Sequence, residues 1–229
     1  MASTKINQEI IESSKELLGY MGIPYIQAPS EGEAQASRMV RDGLVYATAS
    51  QDYDSFLFGS DVVIRNLTIS GRRKLPKKNI YIEVKPERVI LSDLLKHLQI
   101  SREQLIHLGM LVGTDFNTGI EKVGPKTALK IAKEYKTLEK MSAYVKEKYG
   151  IELDYDPQQV EDLFMKPETS ELSRKDFDAM VNNAKPDKER IIRFMCSEHG
   201  FSQERVEKVA DRMLELRAVK GQKGINNWM

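Results

Sequence analysis

At 229 residues the chain is long enough for one large domain or two small ones, and 41% hydrophobic residues can fill a core. Its net charge of +1 excludes a polycation, although Lys and Arg cluster in GRRKLPKK and in VGPKTALKIAKEYK. The single cysteine, Cys196, excludes an internal disulfide and a cysteine-based zinc site, and it fits a reducing compartment.

Residues 6–21 have helical spacing, with Ile6, Ile10, Leu17, Leu18 and Met21 on one face. Gly22-Ile23-Pro24 ends that helix, and YIQA reads as a short strand. Ser30 and Glu33 have capping-box spacing and open a helix that stops near Gly43. LVYATAS reads as a buried parallel strand. DVVIRNLTI and NIYIEV read as two more strands flanking the basic loop GRRKLPKK. Helices are predicted for ERVILSDLLKHL, for SREQLIHLGMLVG behind the cap Ser101-x-x-Gln104, and for GPKTALKIAKEY. A polar, Asp-rich stretch follows, then helices near 187–198 and 202–219. Strands alternating with helices and then helices alone predict an α/β unit with a helical extension. No apolar run approaches membrane-spanning length, so no membrane association is expected. The start MASTKINQEI lacks a secretory apolar core, which predicts an intracellular protein.

Five acids fall where apolar runs stop: Glu31 and Glu33, Asp52 and Asp54, and Asp115. Glu31 and Glu33 suit the first turn of a helix as well as a ligand site. Asp52 and Asp54 follow a strand end and can face one way, or can bond their own turn. If YIQA and LVYATAS are parallel neighbours, all four reach the carboxyl edge of one sheet, where sites of open α/β sheets lie. Gathered carboxylates repel unless cations stand between them, and all-oxygen ligands favour magnesium, with manganese also accepted.

Gly113-Thr114-Asp115 ends a helix, and a glycine-containing hairpin through Gly119, Lys122 and Gly124 leads to a second helix starting at Pro125. Gly124 allows backbone to approach a phosphate closely, and Pro125 suits the first helical position. The free N–H groups of that helix start, with Lys126 and Lys130, can hold a phosphodiester without reading bases. Arg65, Arg72, Arg73, Lys74, Lys77 and Lys78 can track a phosphate backbone or form a solvated basic loop. His97 and His107 read as surface or packing residues, and Tyr53 either stacks on a base or packs in the sheet.

APSEGEAQA, SQDYDSFLFG, VIRNLTISGRRKLP, LVGTDFN and GPKTALKI, in this order, resemble the flap endonucleases, the structure-specific 5′ nucleases of replication and repair, in their archaeal form. The resemblance implies a partial parallel-sheet nuclease domain with a helix–hairpin–helix element and C-terminal helices. It implies hydrolysis of DNA phosphodiester bonds at 5′ flaps and gaps, with two Mg²⁺ ions held in part by Glu31, Glu33, Asp52, Asp54 and Asp115. It divides the chain into a remnant of a helical arch at 1–21, half of the α/β nuclease core at 22–95, the DNA-binding hairpin element at 96–150, C-terminal helices at 151–219 and a tail at 220–229. In that tail Gln222, Ile225, Trp228 and Met229 resemble the peptide that binds the sliding clamp (PCNA). Lys122 departs from the resemblance, standing where glycine is usual. A segment of about one hundred residues, within one domain's worth of chain, is expected to precede the matching part and to supply further metal ligands, fused or as a second chain. Location would be the cytoplasm of an archaeon, or the nucleus in a eukaryote.

Overall fold

Helix and strand boundaries follow local signals in most places. The computed structural model describes residues 6–68, 71–74 and 79–218. Eleven α-helices are formed among these residues: α1 (Gln8–Tyr20), α2 (Gly32–Arg41), α3 (Asp54–Leu57), α4 (Leu91–Leu98), α5 (Arg102–Val112), α6 (Pro125–Glu134), α7 (Leu138–Tyr149), α8 (Pro157–Met165), α9 (Arg174–Asn183), α10 (Lys188–Ile192) and α11 (Gln203–Ala218). A π-helical turn, Arg193–Glu198, continues α10. The strands are β1 (Thr48–Ala49), β2 (Val62–Arg65), β3 (Gly71–Lys74), β4 (Tyr81–Val84) and β5 (Glu87–Ile90). None of the described helices is long and apolar enough to cross a membrane.

The chain divides into two units, Ala28–Glu171 and Met1–Gln27 with Leu172–Met229. In Ala28–Glu171 a sheet of order β1-β2-β5 carries one parallel and one antiparallel pairing. The α/β class stands, but the sheet is small and mixed. Phe56, Phe58, Ile106, Met110 and Phe164 are buried in the core beneath it. Phe58 and Phe164 meet with ring centroids 4.9 Å apart, and Phe116 adds an edge-on contact to Phe164 at 5.4 Å. In the other unit Ile191, Val206 and Ala210 are buried, with Tyr20 and Met21 packed on them. There Gly22 sits at φ +63°, and a Cβ on it would lie 2.5 Å from the Lys185 carbonyl carbon, so only glycine fits.

Several expectations fail for identifiable reasons. Tyr25–Ala28 is irregular rather than a strand; Pro24 and Pro29 flank it and remove donors from any ladder. LVYATAS contributes only Thr48 and Ala49, because β2 offers them just Val63 and Ile64 as partners. Ser30 does not cap α2; Glu31 is the N-cap and makes no side-chain bond there. ERVILSDLLKHL is not one helix: Glu87–Ile90 pairs with β2, from Val62 opposite Ile90 to Arg65 opposite Glu87, and helix begins only at Leu91. Tertiary pairing overrode helical spacing in that segment, where Val89 and Ile90 are β-branched. GRRK is not loop but β3, paired antiparallel with β4. The sequence reading missed α7, α8 and α9, which open on Thr137, Asp156 and Ser173 as side-chain caps. By contrast, Ser101 and Gln104 form the full capping box of α5, and Pro125 stands in the first turn of α6.

Candidate active site

Three chain segments bring the five acids together. Glu33 lies in the first turn of α2, Asp52 and Asp54 flank the start of α3 just after β1, and Asp115 sits in the turn after α5. Ser50, at the end of β1, links two of these segments. Its hydroxyl donates to Glu33 Oε1 and accepts the Asp52 amide at 3.1 Å. Glu33 Oε2 is buried and has no hydrogen-bond partner among the described residues. The Asp54 carboxyl is held above the usual carboxylate range, first by burial and then by the charges of Glu33, Asp115, Asp52 and Glu31. The other four acids thus act on one carboxyl. They remain spread: among the described residues no three His, Cys, Asp or Glu side chains form a ready ligand set for one ion.

Residues outside the acids set this geometry. Helix α3 is one turn long and cannot rely on its own hydrogen bonds. Its carbonyl end is tied down by two arginines. Arg102 donates to Leu57 O at 2.9 and 3.1 Å and to Phe164 O at 2.7 Å, and Arg41 donates to Phe58 O. Burial, and then the neighbouring Arg41, lowers the Arg102 pKa. The Asp115 turn is fixed by Asn117, whose amide donates to Met110 O at 2.8 Å and accepts the Thr114 hydroxyl at 2.7 Å. Gly119 packs on the end of α5, where an added Cβ would stand 2.1 Å from the Val112 carbonyl oxygen. Ser50, Arg41, Arg102 and Asn117 were not singled out by sequence. Only Arg41, in the last turn of a helix, carried a local signal, and that signal pointed to the dipole of α2 rather than to α3.

A cavity of about 850 Å³ opens beside the acids. Asp52, Asp54, Asp115 and Lys126 line it together with Tyr53, and leucines from α4, α5 and α6 complete its wall. Lys126 and Lys130 are exposed on α6. Gly124, the N-cap of α6, has open space where a Cβ would be, and it makes no side-chain cap bond. Lys122 lies at φ +66°, a left-handed conformation for a residue with a side chain, and its ammonium stands 3.9 Å from Glu121. Arg65 is partly buried, and its guanidinium donates to the Tyr53 hydroxyl and to Gln51 O at 3.2 Å. His97 is exposed, whereas His107 is buried and lies 3.3 Å from Glu161, joining α5 to α8. Lys77, Lys78, Gln222, Ile225, Trp228 and Met229 lie outside the described residues.

The XPG I-region family matches residues 22–115, a span that contains all five acids. Flap endonuclease 1 of Pyrococcus abyssi is 46% identical over 230 residues, covering 99% of this chain and 62% of that protein. Flap endonuclease 1 of Methanosarcina acetivorans is 47% identical over 229 residues, covering 99% of this chain and 64% of the relative. The chain is similar to flap endonucleases over nearly its whole length. The solved flap endonuclease-1 from Methanococcus jannaschii superposes with a TM-score of 0.73 at 33% identity, over 94% of this chain and 60% of that one. The 229 residues thus span somewhat under two thirds of the length of the flap endonucleases they match.

Proposed function

We propose that this chain carries part of the hydrolytic centre of a divalent-metal-dependent 5′ flap endonuclease. The observation that carries the reading is the convergence of Glu31, Glu33, Asp52 and Asp115, from three chain segments, on the partly buried Asp54 carboxyl. Binding alone does not need such a cluster, since uncompensated acids repel a phosphodiester. The all-oxygen donor set and the orphaned Glu33 Oε2 fit a hard cation. Magnesium keeps several waters and takes only one or two carboxylates with substrate phosphates, so a spread set of acids suits it better than a closed cage would. When bound, such ions supply a hydroxide nucleophile near neutral pH and offset charge on the attacking and leaving oxygens.

The chain's own residues then divide the work. Glu31, Glu33, Asp52, Asp54 and Asp115 would hold the ions. Ser50 orients Glu33 through Oε1, and Oε2 would be the oxygen left to bind an ion. The open amino end of α6, with Lys126 and Lys130, would hold duplex backbone without reading sequence. Gly119, Lys122 and Gly124 shape the turn that presents that end. Arg65 supports the site through Tyr53 and Gln51 rather than by meeting phosphate. Further ligands and full activity come from the remaining length of the relatives, fused or as a second chain; the apolar wall beside the acids supports a covering segment there. The tail pattern Gln222, Ile225, Trp228 and Met229 supports docking to a sliding clamp, with Trp228 as the anchor. Similarity to archaeal proteins supports a cytoplasmic location.

Cleavage of a labelled 5′-flap substrate tests the reading, with Mg²⁺, with and without the amino-terminal portion of a matching flap endonuclease supplied in trans. The chain alone should bind flap DNA weakly and cut little, and the combination should cut. Robust cleavage by the chain alone would remove the need for a second segment. Flap binding without cleavage by any combination would instead mark a non-catalytic DNA- and clamp-binding module.

A further inference from the structure

Tyr53 stands between two of the acids and is not packed away. The residue is 57% exposed, although a buried run begins two residues later at Ser55. It is nevertheless held by two neighbouring side chains. The Arg65 guanidinium carbon lies 4.2 Å from the ring centroid, and the same guanidinium donates to the phenol oxygen. Arg65 is itself anchored by Gln51 O at 3.2 Å and by Glu87 at 4.0 Å. Phe56, 1% exposed, stacks near the ring with centroids 6.3 Å apart and planes tilted by 28°. An exposed aromatic ring at a turn ordinarily gains nothing from such fixing. This one lines the same cavity as Asp52, Asp54, Asp115 and Lys126.

We infer that Tyr53 is a stacking platform for a nucleobase next to the phosphodiester that the acids act on. The inference rests on the nuclease reading above and extends it to a substrate contact. Stacking on an aromatic ring accepts any base, which suits a site that recognises DNA structure rather than sequence. The ring is fixed before substrate arrives, so little rotamer freedom is lost on binding. Arg65 is then a positioning residue, acting on the substrate through Tyr53. An unpaired base fits best, because its face is free and it need not be taken from a duplex stack.

The test uses the full chain and a 5′-flap DNA with 2-aminopurine placed at the junction, with Ca²⁺ in place of Mg²⁺ so that binding is read without cleavage. The wild type should change 2-aminopurine emission on binding, and much less so when the probe lies ten nucleotides into the duplex. Tyr53→Leu should lose the junction signal and weaken flap binding by about fivefold to a hundredfold, the range that one stacked base supplies. Tyr53→Phe should keep the signal, since the ring remains. Arg65→Gln should reduce it with a smaller loss of affinity. If the wild type binds flap DNA but Tyr53→Leu gives the same junction signal, the stacking inference fails and the nuclease reading stands. If the wild type does not bind flap DNA, both fail.

Discussion

Ser50 donates its hydroxyl hydrogen to one carboxylate oxygen of Glu33 and leaves the other, Oε2, buried without a partner. A buried carboxyl oxygen with no donor among the described residues costs free energy. A divalent cation removes that cost. Mg²⁺ at about ten times its dissociation constant should therefore stabilise the chain by about 1.4 kcal/mol. Differential scanning fluorimetry should show Tm rising by about 3–6 °C. Glu33→Gln should abolish most of that rise while changing the metal-free Tm little, and an unchanged Mg²⁺ response in that variant would argue against Glu33 as a ligand.

Asp54 gives a pH dependence with a definite sign. Its carboxyl is held above the ordinary carboxylate value by burial and by four neighbouring acids. The folded state therefore binds this proton more tightly than the unfolded state does. The contribution to stability is present below the unfolded pKa of about 3.8 and is lost as pH rises through the folded value. At neutral pH without divalent ions, Asp54→Asn should raise stability by a few tenths to about 1 kcal/mol, the scale of one relieved like-charge contact. The gain should shrink as pH falls toward 4, and in a complete enzyme the same variant should lose cleavage far more than DNA affinity. Urea melts across pH, with and without Mg²⁺, read the first effect.

Lys122 holds a left-handed backbone at φ +66° with an exposed side chain. A side chain in that region costs roughly 1–2 kcal/mol, and glycine gives back part of this through its larger unfolded entropy. Lys122→Gly should therefore be neutral or stabilising by up to about 1 kcal/mol. If the lysine serves only the turn, flap affinity should stay within about twofold of wild type. A larger loss, together with a lower salt dependence, would show that its ammonium meets phosphate.

Arg102 secures two main-chain carbonyls, Leu57 O and Phe164 O, at once. Arg102→Leu leaves both acceptors without this donor and should cost about 2–4 kcal/mol. Arg102→Lys should recover only part of that, since an ammonium lacks the planar fork. Chemical denaturation measures both. Equal losses in the two variants would mean that charge rather than fork geometry is what α3 requires.

Local signals made much of this legible in the sequence. Ser101 with Gln104, and Gly124 with Pro125, marked helix starts that the structure reproduces. The acids were legible because each pair fell at the end of an apolar run. Glu87–Ile90 was misread because its partner, β2, lies more than twenty residues away and pairing overrode spacing. Arg102 and Arg41 were invisible for a similar reason: they serve carbonyls 45 and 17 positions distant along the chain. Asn117 read as loop because its bonds close a turn rather than begin a helix. Spacing revealed which residues could gather, while the fold revealed which others hold them in place.

The single turn α3 has a consequence in time. Its amide bonds, including Phe58 N to Asp54 O at 2.9 Å, belong to an element too short to survive apart from its surroundings. Helical ends ordinarily fray and exchange their amide hydrogens quickly. Here Phe56, Leu57 and Phe58 are buried and the carbonyl end is bolted by arginines of two longer helices. Exchange at these amides should consequently follow the slow opening of α2 and α5, so that the shortest of the described helices keeps time with its neighbours.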